Sequence, residues 1–354
     1  MTFIPRSVTL VLALLVLLLA LYPAYGELLF GERAEFFLQK LTTIIILAIF
    51  AMSLDLLVGI TGLVSLGHAL FFGTAGYALA LLAPEYEAAN IWWVLPASLA
   101  ICALLSLVVG LLSIRTSGIY FIMVTLAFGQ MGFYFLNDAA FAGGSDGLYI
   151  MFKPEVMIGD WQLLDLENKQ TFFYVTLGAM VVAYGLLRML MLSPFGRVLV
   201  GIHANEHRVR AMGYNATIFK VVSFVIAGTL AGLAGFLAAT QYGFVNPAQL
   251  GWHTSGHALM MVILGGVGTL FGPILGAFAF ELLHYLFESL TDHWLLLMGG
   301  VMIAVVLLLP HGLAGGLLAL LERRRTASQA QAESGSESKS NSGNVPPTIQ
   351  GVPK

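Results

Sequence analysis

The sequence predicts an all-α, polytopic membrane protein of about ten transmembrane helices, and three observations carry that prediction. The first is composition: of 354 residues, 58% are hydrophobic and only 10% are charged, with a mean hydropathy of +0.88. A soluble domain carries about 25% charged residues. The second is length. A bilayer core takes about 20 mostly apolar residues per crossing helix, and such runs recur along the chain. They are Val8–Ala24, Gln39–Leu57, Ile60–Ala83, Ile91–Ile114, Gly118–Leu136, Thr171–Leu192, Val221–Thr240, Trp252–Leu290 and Trp294–Pro310. The third is the sign of the charges between the runs, which alternates.

That alternation sets the sidedness. Between Ser193 and Lys220 the chain is polar and basic: Arg188, Arg197, Arg208, Arg210 and Lys220 lie in or beside it, opposed by Glu206. Loops of this kind resist translocation and stay cytoplasmic. One helix earlier, residues 138–170 hold Asp138, Asp146, Glu155, Asp160, Asp165 and Glu167 against Lys153 and Lys169, which places that segment outside. Counting back puts Glu85 and Glu87 outside, Arg115 inside, Glu27, Glu32 and Glu35 outside, and Arg6 inside. The overall charge of −3 adds nothing to this, because sidedness matters more than the sum.

The same parity decides the end of the chain. Arg323, Arg324 and Arg325 belong inside, so an odd number of crossings lies between Gln241 and Glu322. The centre of Trp252–Leu290, Gly265–Pro273 (GGVGTLFGP), breaks helical structure. Two short helices meeting there give ten crossings, with both termini cytoplasmic; a re-entrant hairpin gives eight. The first run resembles a signal peptide but lacks a clear cleavage pattern, and is read as a retained first helix. Residues 1–320 thus form a transmembrane domain. Residues 321–354 form a cytoplasmic tail, Ser-, Gln-, Gly- and Pro-rich from Thr326 onward, expected to be disordered because it has too few aliphatic side chains to bury. No function is attached to it.

Chemistry is sparse. There is no GxxxxGK[ST] loop, so the chain does not bind ATP in the P-loop manner. HExxH and GxSxG are absent, and no nucleophile–base or metal set can be assembled, which argues against an enzyme. The single cysteine, Cys102, excludes an intrachain disulfide and a multi-cysteine metal site. No basic patch interleaved with aromatics points to nucleic acid. Ionisable residues inside membranes are costly and are usually functional; here they are Asp55, His68, His257, Glu281 and His284. Asp55 falls at the expected inner end of its helix and reads as a solvated end. Glu281 and His284 are spaced to pair across one turn, as a proton-coupled carrier would want. His68 lies near Ser65, Gly67, Gly73 and Gly76, small residues that let helices approach closely or permit irregular backbone around a cavity; helix packing is the plainer reading. The turn Gly143, Gly144, Ser145, Asp146 suits a tight bend, and Asp146 has the chemistry to bind a cation or cap a helix. In the basic loop, Asn205–Met212 reads as a short helix stopped by Gly213. On charge alone, a solvated loop that fixes topology is the simpler account of it.

Four stretches, in order, shift these readings. LVGITGLVSLGHALFFGTAGYALALL (Leu57–Leu82), TSGIYFIMVTLAFGQM (Thr116–Met131) with AGGSDGL (Ala142–Leu148), the basic loop with VVSFVIAGTLAGLAGFLAA, and GGVGTLFGPILGA (Gly265–Ala277) together resemble the LivM-type permease of bacterial branched-chain amino acid ABC importers, over roughly residues 35–320. The resemblance implies a multi-pass inner-membrane subunit that forms half of a pore by alternating access. A sister permease of the LivH type, two ATP-binding subunits that carry the ATP and magnesium, and a periplasmic amino acid-binding protein would complete the importer. It makes the basic loop the segment that docks on an ATPase, with Asn205, Glu206, Arg208, Arg210, Ala211 and Gly213 at the matching positions. The general importer pattern, Glu-Ala-Ala, three residues, then Gly, is not met: Glu206 and Gly213 lie seven apart and no Ala-Ala follows Glu206. Ser65, Gly67, His68, Gly73 and Tyr77 are assigned to part of the translocation path. A urea or short-chain amide permease and, in another class, an ion-driven carrier using Glu281 and His284 are the alternatives.

Overall fold

A computed structural model describes residues 6–84, 87–158, 161–309 and 312–316. Glu85, Asp160, Arg323–Arg325 and the whole stretch expected to be a disordered tail lie outside the described residues. The order is α1 (Arg6–Phe30), α2 (Ala34–Asp55), α3 (Ala69–Leu82), α4 (Ile91–Ser113), α5 (Ile119–Asp138), β1 (Leu148–Tyr149), β2 (Val156–Ile158), β3 (Trp161–Leu164) and α6 (Lys169–Leu192). It continues with α7 (Pro194–Ala211), α8 (Ala216–Tyr242), β4 (Phe244–Val245), α9 (Trp252–Gly265), α10 (Gly272–Leu290) and α11 (Trp294–Leu308). Among the described residues, six stretches are long and apolar enough to cross a membrane: α2 with its following turn, α4, α5, α6, α8 and the stretch that opens with α11. The protein is an all-α, multi-pass membrane protein.

Two central helices organise the bundle. α2 is buried on all sides from Ile44 to Asp55 apart from Leu47, which in a membrane protein means that other helices, not lipid, surround it. α8 achieves the same by presenting small residues. A Cβ on Gly228 would stand 2.5 Å from that of Ser106, one on Gly232 2.8 Å from the Cys102 sulfur, and one on Gly235 would collide with the Phe72 carbonyl. Removing side chains along this stripe lets α3 approach α8 to backbone contact and seats the small side chains of α4 against it.

The run Ile60–Ala83, expected as one helix, is broken. α2 passes into a π turn, Leu56–Thr61, closed by Gly62 in the left-handed region at φ 78°. Irregular backbone then leads to α3, which is 14 residues long. The run Trp252–Leu290 is also two helices, α9 and α10, which fold back on each other. There a Cβ on Gly276 would collide with the Met261 carbonyl and one on Gly265 with that of Gly272.

The strands among the described residues sit at the end of the bundle opposite α7. β1 pairs antiparallel with β4 (Leu148↔Val245, Tyr149↔Phe244), and β2 pairs with β3. Lys169 at the start of α6 donates to Glu35 at 2.6 Å there. Exposed Trp92, Trp93 and Trp252 open α4 and α9 at the same end, the kind of residue that collects at a membrane interface.

Candidate functional site: the basic segment and the broken helices

At the α7 end, Ser193 accepts the Gly196 N–H at 3.4 Å with Pro194 as the first helical residue, a favourable start. Asn205, at φ −164° and ψ 98°, interrupts α7. Its Oδ1 accepts the Arg208 N–H at 3.0 Å, so it caps a second short helix. That helix stops where Gly213 turns to φ 89°. Glu206 accepts Arg210 at 2.5 Å and Lys220 at 2.6 Å. Partial burial pushes its carboxyl up, but the hydrogen bonds and charges of Lys220 and Arg210 outweigh this and hold it below the ordinary carboxylate range. Arg208 has no ion-pair partner among the described residues. With Ala211, Met212 and Tyr214 it forms an exposed surface, basic and partly apolar.

The break before α3 gathers Ser65, Gly67 and His68. His68 is fully buried, stacked on Phe50 with ring centroids 5.5 Å apart, and its Nε2 lies 2.8 Å from Ser53 Oγ. Its Nδ1, Ser65 Oγ and Tyr77 OH are buried with no hydrogen-bond partner among the described residues. The Ala69 N–H donates to Ser255 on α9 at 2.8 Å. The two glycines are filled by neighbours: a side chain on Gly67 would strike the Thr125 carbonyl of α5, and one on Gly73 the Leu250 side chain. The five predicted path residues therefore divide into three that keep a buried polar atom free and two that allow close packing.

The turn from Gly143 to Gly147 is a backbone device. Gly143, Gly144 and Gly147 have φ of 75°, 59° and 76°, values that favour glycine. A Cβ on Gly147 would collide with the Val245 carbonyl, so the turn seats β1 against β4. Ser145 and Asp146 are exposed, and the Ser145 hydroxyl donates to Asp146 at 3.3 Å. Among the described residues no three His, Cys, Asp or Glu side chains gather to hold a metal.

Sequence reasoning missed the partners of two acidic groups. Asp55 is not a solvated helix end: it is fully buried. Its Oδ1 accepts the Gly268 N–H at 2.7 Å and its Oδ2 the Leu270 N–H at 3.2 Å. Glu281 pairs with Lys40 of α2 at 3.3 Å, while His284 Nδ1 is 3.8 Å from its other oxygen. A lone charge in an apolar run was the available signal for both, but no local rule names a partner more than 200 positions away.

Broken helices, buried unpartnered polar atoms at one break and a capped basic helix at one end thus come together in one multi-pass bundle. Residues 36–306 match the family described as the branched-chain amino acid transport system permease component, and the chain belongs to that family. It is a permease subunit of an ABC importer and not an enzyme. It is 29% identical over 291 residues, 77% of this chain and 68% of the relative, to the high-affinity branched-chain amino acid transport system permease protein LivM of Salmonella typhimurium. The LivM protein of Escherichia coli matches to the same extent. The E. coli LivH permease protein of that system is 24% identical over 193 residues, 52% of this chain and 61% of the relative. No solved structure matches.

Proposed function

We propose that this chain is one of two permease halves of an ATP-driven importer that carries branched-chain or related hydrophobic amino acids across the bacterial inner membrane. The observation that carries the reading is the family match over residues 36–306, joined to the similarity to both LivM and LivH, two permease proteins of one transport system. A sister permease, two ATP-binding subunits that hold ATP and magnesium, and a periplasmic binding protein complete the machine.

The chain crosses the membrane ten times, with both termini cytoplasmic. The antiparallel course of α9 and α10 supports this: their junction meets Asp55 at one end of α2, and Glu281 of α10 reaches Lys40 near the other. The irregular stretch 62–68 completes the crossing of the short α3. Residues 138–170 are then periplasmic.

The short helix capped by Asn205 docks on an ATP-binding subunit. Glu206 ties it to α8, Arg208 and Arg210 supply charge, and Ala211 and Gly213 end it compactly. Closure of the ATPases on ATP moves this helix, and the membrane helices alternate in access. An amino acid presents a carboxylate and an ammonium to any path it follows. Ser65 Oγ, His68 Nδ1 and Tyr77 OH supply polar partners there. Each costs about 1–3 kcal/mol while unsatisfied, so a transient partner is favoured without being held tightly.

The test is affinity purification from the native membrane in mild detergent, with uptake measured in parallel. Recovery of a second permease and two P-loop ATPases, with uptake that stops on ATP depletion and survives an uncoupler, is expected. Recovery of the chain alone, with uncoupler-sensitive uptake, overturns the reading.

A further inference from the structure

Three segments distant in sequence meet at the α7 end of α2. The first is the π turn Leu56–Thr61, a form that is rare and concentrates at functional positions. The second is the loop between α9 and α10. It is stitched by Thr269, whose hydroxyl donates to the Gly266 carbonyl at 2.8 Å and accepts the Gly272 N–H at 3.0 Å. The third is α7, through His203. At their meeting point is Gly59: its carbonyl lies 3.1 Å from His203 Nδ1, and any Cβ on it would strike both Asp55 Oδ1 and the Gly268 nitrogen. The Asp55 carboxylate closes the set by accepting the N–H groups of Gly268 and Leu270. Leu270 is the one non-glycine among the described residues with positive φ, at 56°. A leucine is held there only when its surroundings over-determine it, and Asp55 Oδ2 supplies the hydrogen bond that does so. Gly62 packs against the His203 ring, which a Cβ there would approach to 2.9 Å.

Resting on the importer reading above, we propose that His203, Gly59 and Asp55 are positioning residues of a single joint that passes movement of α7 to the α9–α10 hairpin. The route has two steps. His203 holds the π turn by its backbone. The π turn and Asp55 hold a loop too rigidly stitched to absorb the displacement, so the hairpin travels with α7. An ordinary buried-aspartate cap would need only the Asp55 bonds. The direct hold of α7 on Gly59, the residue wedged between Asp55 and Gly268, is what turns a cap into a linkage.

The test uses the assembled complex in proteoliposomes with its binding protein and radiolabelled leucine, isoleucine and valine, reading ATP hydrolysis and uptake in the same vesicles. His203 is exposed, so its substitution does not challenge folding. His203→Ala is expected to lower amino acid moved per ATP about tenfold, within the span of typical coupling effects, with hydrolysis retained. His203→Asn, whose amide N–H takes the place of Nδ1, is expected to restore the ratio. Asp55→Asn is expected to uncouple as well, and the double variant Asp55→Asn/His203→Ala to be no worse than the more severe single one, as for two links in series. An unchanged ratio in His203→Ala, failure of His203→Asn to restore it, or additive losses overturns the joint alone. A wild-type chain that assembles with no ATPase overturns the importer reading, and the joint with it.

Discussion

Lys220, in the second turn of α8, donates to Glu206 of the short helix in α7 at 2.6 Å, so the segment proposed to meet the ATPase is tied to a central helix of the bundle. Lys220 is largely buried, with 12% of its side chain exposed, and Glu206 keeps 30%. The pair therefore ranks above a surface ion pair and below a buried one.

Glu206→Gln removes the charge at both contacts and is expected to destabilise the α7–α8 connection by about 1 kcal/mol, the size of a charge-assisted bond discounted for exposure. The sign with pH follows from the lowered pKa of Glu206. Its contribution is complete above its ordinary value of 4.5 and is lost as pH falls through the lower folded value. Thermal unfolding of the purified permease in detergent is expected to show a smaller gap between wild type and Glu206→Gln at acid pH than at pH 7.

Gly235→Ala and Gly185→Ala form a matched pair. A Cβ on Gly235 would collide with the Phe72 carbonyl, whereas one on Gly185 meets nothing within 4 Å. The first change is expected to cost about 1–3 kcal/mol or more by forcing α3 from α8. The second is expected to be neutral or to stabilise α6 by up to about 1 kcal/mol. Folded yield and melting temperature in detergent read both.

Ser65→Ala and Tyr77→Phe each remove a buried polar atom that has no partner among the described residues. Stability is expected to hold or rise, since no internal bond is lost, while uptake by the assembled importer falls several-fold. If uptake is unchanged at normal expression, these residues leave the proposed path. Ser65→Leu, which puts a larger apolar side chain at a fully buried position, is expected to abolish uptake.

Lys40→Met leaves Glu281, with 10% of its side chain exposed, without its closest cation. A loss of about 1–2 kcal/mol is expected, short of the cost for a fully buried pair because Lys40 keeps 34% of its side chain exposed. Lys40→Met/Glu281→Gln is expected to recover much of that stability. Uptake by the double variant is expected to remain insensitive to an uncoupler, since the importer reading gives Glu281 and His284 no share in the driving force.

Legibility followed how local each signal is. The runs expected at Ile91–Ile114, Gly118–Leu136 and Thr171–Leu192 lie within two residues of α4 (Ile91–Ser113), α5 (Ile119–Asp138) and α6 (Lys169–Leu192), because hydropathy and end signals are carried by consecutive residues. The break in GGVGTLFGP was equally readable from its glycines and proline. Ile60–Ala83 reads as one run because its mean hydropathy is high, yet the break falls where Thr61, Gly62, Ser65, Gly67 and His68 cluster: Gly62 turns left-handed, and the packing of Gly67 on the Thr125 carbonyl and the bond of the Ala69 N–H to Ser255 come from other helices. β1 is not legible because it is two residues long and exists by pairing with β4 almost a hundred positions later; β2 and β3, though neighbours, are three and four residues long, too short to show an alternating pattern.

By itself, then, the sequence determined that this chain lives in a membrane, roughly where most of its long apolar helices run, and which ordered motifs mark its family. The tertiary structure decided that Asp55 is a buried clamp on Gly268 and Leu270, that Glu281 answers Lys40, and that Gly67 and Gly73 make room for α5 and Leu250. The physical reason is range. Transfer into a bilayer is close to a sum over neighbouring residues, whereas a buried charge or a missing Cβ takes its meaning only from the atom that folding brings against it.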